Sequence, residues 1–142
     1  MKKLKYSLGI IIAIALWCGL IGAQNDAIAA DADNFTISSF NADYHLGKDK
    51  EGRSTLKTIE TIQASFPNYD QNHGIERALP KSYNGHSTRL VIDSVKDASG
   101  DEIEYSERSA GDNLVIRIGD ADAYVHGPQQ YVITYTQHDV TR

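Results

Sequence analysis

The segment LKTIETIQASF, residues 56–66, carries the pattern that decides the fold. Its apolar residues mostly share one parity, as the side chains on one face of a β-strand do: Leu56, Ile62, Ala64 and Phe66. Ile59 has the opposite parity, which is typical of a strand that is covered on both sides. Glu60 falls among the apolar residues of the first face, where a carboxylate is costly unless it is paired. The segment therefore predicts a β-strand whose core face contains one buried acid.

The same alternation recurs along the chain between turn signals. Six strands are predicted, over Phe35–Leu46, Leu56–Phe66, Thr88–Lys96, Glu102–Arg108, Asn113–Ile118 and Gln129–Gln137. In the first strand the apolar parity changes near Ser38 and Ser39, which indicates a β-bulge or a crossing between sheets. No segment after residue 30 combines a helical period with caps. We predict an all-β fold, an antiparallel β-sandwich that is Ig-like in general architecture, preceded by an N-terminal signal or apolar helix.

Two long connections, over residues 67–87 and 119–128, lack the alternation and are expected to be irregular loops. Tyr69, Tyr83 and Tyr124 lie in them. Exposed loop aromatics can stack on sugars or anchor a protein partner. Packing of the loops against the sandwich explains the same residues more simply.

The N-terminal residues read as a targeting segment. Three lysines precede an uncharged apolar run from Leu8 to Ala23, and small residues follow it. This order is typical of a cleavable export signal, and an uncleaved membrane anchor is the alternative. We predict a signal peptide or membrane segment over residues 1–29 and an extracytoplasmic β-sandwich domain over residues 30–142. The protein is then exported, either held at the cell membrane with the β domain outside the cytoplasm or secreted.

The charge balance argues against one large class of partner. The 142 residues contain 14 Lys and Arg against 19 Asp and Glu, a net charge of −5. Without the three lysines and one aspartate of the first 29 residues, 11 basic and 18 acidic side chains remain, a net of −7. Nucleic-acid binders usually have a basic excess, so no nucleic-acid partner is expected. The single Cys excludes an internal disulfide.

Three stretches together resemble the N-terminal domain of a bacterial family of predicted membrane proteins of unknown function, domain of unknown function 2207. They are IETI followed by Phe66, then HGIERALP at residues 73–80, then Ile118–Asp120 with residues spread downstream. The positions of this chain that carry the resemblance include Glu60, Gly74, Arg77, Pro80, Gly119, Asp120, Gly127, Tyr131 and Tyr135. The resemblance implies an extracytoplasmic β domain followed by membrane helices, with no established reaction or catalytic residue. This chain ends at Arg142, so it is expected to be either the N-terminal part of a longer membrane protein or a stand-alone relative.

Residues able to carry chemistry are sparse. The five histidines are scattered without the spacing of a zinc site: His45, His73, His86, His126 and His138. Asp120 and Asp122 offer oxygens to a calcium ion, but turn capping by short acidic side chains explains them more simply. Motifs of a serine nucleophile or of a phosphate-binding loop are absent from the sequence. We predict no catalytic residue, no metal ligand and no cofactor.

Three functions are weighed on these observations. The first is a non-catalytic interaction or sensing module at the cell envelope, associated with the membrane through the N-terminal segment or a missing C-terminal part. The second is an envelope carbohydrate-binding module that uses the loop tyrosines. The third is a hydrolase with a site in loops 67–87 and 119–128, where His73 or His126 would need a nearby Ser or Asp. The protein or glycan partner is not specified by the sequence.

Two structural predictions follow from the pattern. Because the last predicted strand lies near Arg142, an open sheet edge is expected on a terminal strand. Glu60 is expected to pair with Arg77, whose guanidinium can hold a carboxylate through two hydrogen bonds and so pin the 67–87 loop to the sheet. The alternative for Arg77 is an outward position that binds an anion.

Overall fold

A computed structural model describes residues 34–141 of the chain. All of its helix or strand structure in that range is β: β1 (Thr36–Lys48), β2 (Ser54–Phe66), β3 (Ile75–Pro80), β4 (Ser82–Tyr83), β5 (His86–Ser87), β6 (Val91–Lys96), β7 (Tyr105–Ala110), β8 (Asn113–Ile118) and β9 (Gly127–His138). The all-β prediction is confirmed for these residues. Within them no helix is long and apolar enough to cross a membrane. The predicted N-terminal signal or apolar helix lies outside the described residues.

The strands form two main sheets and one small hairpin. The larger sheet has the order β1-β2-β9-β6 and the smaller has the order β3-β8-β7, while β4 and β5 pair only with each other. Every strand pairing is antiparallel. The last strand lies inside the larger sheet, because β9 pairs with β2 on one side and with β6 on the other.

The core is a single apolar cluster to which both main sheets contribute. The larger sheet supplies Ile62, Ala64, Phe66, Val95, Tyr131, Ile133 and Tyr135, and the smaller supplies Ile75, Leu79, Ile116 and Ile118. The alternation read in residues 56–66 explains this arrangement, because every second side chain of β2 points at the smaller sheet. The result is sandwich-like, with one layer on each side of a shared core.

The predicted irregularity in the first strand is present. The pairing of β1 with β2 shifts register between Ile37 and Ser39, as a β-bulge does. Beyond the bulge, Phe40 opposes Ile62 and Leu46 opposes Leu56, so this part of β1 continues the core face of the larger sheet.

The prediction of an irregular 67–87 connection is wrong. It contains β3 and the β4–β5 hairpin. Strand β3 escapes the alternation because Arg77 occupies the inward position between Ile75 and Leu79, both of which are buried. The second connection is also shorter than predicted, because β9 begins at Gly127 and only 119–126 is a loop.

An open sheet edge is present, but not on the last strand. Strand β9 is interior, whereas β1 pairs with β2 alone. The thirteen residues of β1 therefore carry an unpaired outer edge among the described residues. Sequence order could not indicate this, because it does not specify which strands become neighbours.

Candidate functional site

A buried acid lies between the two sheets at the β2–β3 side of the core. Glu60 of β2 is 1% exposed, and Arg77 of β3 reaches it from the other sheet. Arg77 Nε donates to Glu60 Oε2 and Nη2 donates to Oε1, both at 2.8 Å. The Tyr135 hydroxyl also donates to Oε1, at 3.0 Å. The predicted Glu60–Arg77 pair is therefore present, and it joins two sheets rather than a loop to a sheet.

The charges in this cluster stabilise one another. The hydrogen bonds to Glu60 raise the pKa of the Arg77 guanidinium above its usual value. Burial, followed by the neighbouring Glu60 carboxylate, raises the pKa of Tyr135 to about 12. Three donors thus serve one carboxylate, which is the arrangement that a buried charge needs. With its guanidinium occupied by Glu60 and by the Ala78 carbonyl, Arg77 does not adopt the outward, anion-binding alternative.

The guanidinium of Arg77 also marks the border of an uncovered surface. Its Cζ lies 5.6 Å from the ring centroid of Phe40, within cation–π range. Phe40 belongs to β1, one strand beyond Glu60 in the larger sheet. Because the smaller sheet ends at β3, the core face of β1 extends past the layer that would cover it.

This uncovered surface is a row of apolar side chains on the core face of β1. Phe40, Tyr44 and Leu46 are 49%, 65% and 67% exposed. They share a face with Ala42, because all four oppose residues of β2 that point at the core. We call these four residues the β1 row. Large apolar groups aligned in this way on a soluble surface commonly mark an interaction site.

The β1 row begins at an opening between the sheets. A cavity of about 340 Å³ lies between β1 and β3, lined by Phe35, Ile37, Phe40, Ile62, Ile75, Glu76 and Arg77. One lining residue, Phe35, stacks on the core residue Phe66, with ring centroids 5.1 Å apart. The opening is therefore apolar on the β1 side and charged at the β3 rim.

One other sheet edge is protected in a way that β1 is not. Strand β7, one of the two edge strands of the smaller sheet, reads YSERSA, and its four central residues are exposed and polar. Charged edge residues discourage pairing with another chain. In β1 beyond the bulge, the only acidic residue is Asp43 and the only lysine is Lys48, at the end of the strand. The β1 edge combines unpaired backbone with an apolar face.

The two loops at one end of the strands form a single surface. Val125 N donates to the Asn72 carbonyl at 2.8 Å, and the rings of His73 and Tyr124 lie 4.3 Å apart. Beneath them Gly74 and Gly119 touch. A Cβ on Gly74 would lie 1.8 Å from the Ile118 carbonyl oxygen, and one on Gly119 would lie 2.0 Å from that of His73. These two family-like glycines therefore fix the close approach of the loops.

One histidine of the loop surface lies beside an acid, which is part of what the hydrolase alternative needs. His126 Nε2 and Asp70 Oδ1 are 3.0 Å apart, but both side chains are exposed, and no serine hydroxyl bonds to either among residues 34–141. Asp120 accepts a hydrogen bond from the backbone N–H of Asp122, which caps a turn. In the described part of the chain no group of three or more His, Cys, Asp or Glu is placed to hold a metal ion.

Another cavity lies at the opposite end of the strands. It measures about 530 Å³ and lies between the β4–β5 hairpin and the end of β9. Its lining mixes apolar and polar side chains: Leu56, Pro80, Ser82, Tyr83, Asn84, His86, Thr88, Gln137, Asp139 and Val140. Tyr83 stands on its rim, 74% exposed. Gln137 is fixed there by donating to the carbonyl of Pro80, a family-like position, at 2.9 Å.

The remaining family-like residues are spread through the fold. Tyr131 is buried in the core, and burial raises its pKa to about 12. Its hydroxyl has no hydrogen-bond partner among the described residues. Gly127 opens β9 with a φ of 62°, a conformation that favours glycine. Of the nine positions, Glu60, Arg77 and Tyr135 meet in the buried cluster and Gly74 meets Gly119, but the nine do not converge on one site.

The sequence identified the Glu60 cluster and missed the β1 row as a surface. The parity of Phe40, Ala42, Tyr44 and Leu46 was readable, but parity alone does not tell a covered face from an uncovered one. That distinction depends on a second sheet that is one strand narrower than the first.

Comparisons of the chain with protein-family models, with curated proteins and with solved structures found no match. The class that the fold and surface define is an all-β domain of two antiparallel sheets, in which the edge strand β1 carries an exposed apolar row.

Proposed function

We propose that the chain is a non-catalytic interaction domain that works outside the cytoplasm and binds a protein partner along β1. The three lysines followed by the apolar run of residues 8–23 support an exported protein associated with the cell envelope. The resemblance to domain of unknown function 2207 supports a place at the membrane. Four strands facing three around one core support the Ig-like architecture.

The single observation that carries this proposal is the state of β1. It offers a line of backbone N–H and C=O groups on its free edge and a row of exposed apolar side chains beside it. An added strand bonds to such backbone groups, while alternate side chains determine which strand fits. A partner strand next to β1 would also pack its own side chains of the same face beside the β1 row.

Photo-cross-linking at the β1 row tests the proposal. p-Benzoylphenylalanine is placed at Tyr44 in the full-length chain, and in the matched control at Tyr83, an exposed tyrosine at the hairpin. We expect a discrete protein adduct from position 44, in the cells that make the protein, at several times the yield from position 83. Equal yields at the two positions, or no adduct at position 44, would refute binding along β1.

A second candidate, carbohydrate binding, is favoured by the hairpin cavity. Its volume of about 530 Å³ falls within the range of small-molecule sites, and Tyr83 presents a ring face beside the polar groups of Asn84, Gln137 and Asp139. Aromatic rings of this kind stack on sugars. A glycan array tests it: Tyr83→Ala is expected to abolish binding, and Tyr69→Ala, at the opposite end of the strands, is expected to retain it. Absence of glycan binding by the unmodified chain would rule the candidate out.

A further inference from the structure

We infer that the partner bound along β1 is a second copy of this chain, paired antiparallel through β1 about a two-fold axis at Tyr44. This inference rests on the proposed function and specifies its partner. Strand β1 is itself an extended segment with an alternating apolar row, so each copy offers the other the edge and side chains that a strand partner needs. A two-fold interface of this kind uses one self-complementary surface and closes at the dimer.

The alternation restricts how two copies can pair. Directly opposed residues of an antiparallel pair put their side chains on the same face of the sheet. The β1 row of one copy must therefore oppose the β1 row of the other, and this requires one residue of β1 to face its own counterpart. Only a few positions of the two-fold axis remain, one for each residue near the middle of the strand.

Tyr44 and Asp43 lie at the middle of the regular part of β1. The register shift lies between Ile37 and Ser39, and the pairing with β2 is regular from Ser39 to Lys48, ten residues. An axis at Tyr44 pairs residues 40–48 and an axis at Asp43 pairs residues 39–47, nine residues each. An axis at Ala42 would pair only residues 39–45 before the bulge intervenes.

The side chains favour the axis at Tyr44 over the axis at Asp43. With Tyr44 at the centre, Asp43 opposes His45 of the partner subunit, so each acid faces a base. The small Ala42 then opposes the large Leu46 of the partner subunit. An axis at Asp43 would place two carboxylates opposite each other, which is unfavourable, and an axis at His45 would place two histidines together.

Engineered disulfides test the register in the full-length chain. On a Cys18→Ser background, one chain carries Ala42→Cys and a differently tagged chain carries Leu46→Cys. The inferred register places position 42 of one copy opposite position 46 of the other. Position 42 of one copy is then four residues along the strand from position 42 of the other, about 13 Å, which is too far for a disulfide, and the same holds for position 46.

We expect the mixture to form at least ten times more disulfide-linked dimer than either chain alone. The control is Tyr83→Cys mixed with Leu46→Cys, which measures random collision between exposed thiols. A yield in the mixture no greater than this control, or an equally strong dimer from Ala42→Cys alone, would overturn the inferred register.

Sedimentation of the full-length chain in mild detergent tests the dimer without cross-links. Tyr44→Lys places two ammonium groups together at the axis, and we expect it to reduce dimer at least tenfold. Tyr83→Lys, the same change at another exposed tyrosine, is expected to leave the dimer intact. A monomeric wild-type chain, or a Tyr44→Lys chain as dimeric as Tyr83→Lys, would overturn the inference.

The two proposals fail in different ways. A cross-link from position 44 to a different protein, with a monomeric wild-type chain, would reject the second copy and keep the proposed function. Absence of any adduct at position 44 would reject both.

Discussion

Removing the guanidinium of Arg77 is expected to destabilise the domain by leaving a buried carboxylate short of donors. Glu60 is 1% exposed and takes two of its three hydrogen bonds from Arg77. Breaking a buried pair by removing one partner costs about 3–5 kcal/mol. Because the Arg77 side chain is itself 33% exposed, we expect Arg77→Leu to fall near the lower end, about 3 kcal/mol. That is a large part of the stability of a typical domain, about 5–15 kcal/mol.

The assay is a double-mutant cycle followed by urea unfolding of the full-length chain. Glu60→Leu, Arg77→Leu and the double variant complete the cycle. The double variant removes both charges, so it is expected to be less destabilised than the sum of the single variants by at least about 2 kcal/mol. The unpaired Tyr135 hydroxyl is common to Glu60→Leu and to the double variant, and its cost cancels.

The exposed pair of Arg108 with Glu76 provides the control. Its atoms are 3.5 Å apart, and both side chains are more than half exposed. Arg108→Leu is expected to change stability by no more than about 0.5 kcal/mol. The reasoning would be refuted if Arg77→Leu cost no more than Arg108→Leu. A coupling energy below about 0.5 kcal/mol would refute it equally.

Three further predictions concern the two core tyrosines and the paired glycines. Tyr135→Phe removes a hydrogen bond to Glu60 and is expected to lower the free energy of unfolding, measured in urea, by about 1–3 kcal/mol. Tyr131→Phe removes an unpartnered hydroxyl and is expected to lower it by less than about 0.5 kcal/mol. Equal costs for the two variants would contradict the hydrogen bond from Tyr135 to Glu60. The free energy of unfolding is expected to fall between about pH 10 and pH 12, because both tyrosines keep their proton to about 12 when folded and release it near 10 when unfolded. The loss is at most about 3 kcal/mol for each tyrosine, and a pH titration in which Tyr135→Phe shows the same slope as wild type would count against it. Gly74→Ala is expected to lower the free energy of unfolding by about 2–5 kcal/mol, because the new side chain meets a φ of 136° and overlaps the Ile118 carbonyl. Gly127→Asn is expected to lower it by less than about 1 kcal/mol. Equal shifts of the melting temperature for the two variants would contradict this difference.

Local alternation was enough to predict much of the larger sheet. The bulge near Ser38 and Ser39, the core face of β2 and the pairing of Glu60 with Arg77 all follow from parity and from the cost of an unpaired acid. The interior position of β9 and the open edge of β1 did not follow, because they depend on which distant strands pair.

The sequence failed at β3 for a related reason. A charged residue at an inward position looks like the end of a strand, and Arg77 is inward only because Glu60 of another strand receives it. For the β1 row the sequence fails in the opposite way, because it predicts buried side chains where the structure has exposed ones. Its residues have the pattern of a core, and only the narrower second sheet leaves them exposed.

Amide hydrogen exchange along β1 tests most directly the claim that this edge is the docking surface. In an unoccupied edge strand, alternate amides of residues 40–48 face solvent and exchange fast, while those bonded to β2 are protected. We predict that raising the concentration of the full-length chain protects these solvent-facing amides in wild type and in Tyr83→Lys, but not in Tyr44→Lys. Fast exchange at alternate residues of β1 at every concentration, and in the presence of extracts of the cells that make the protein, would contradict the account.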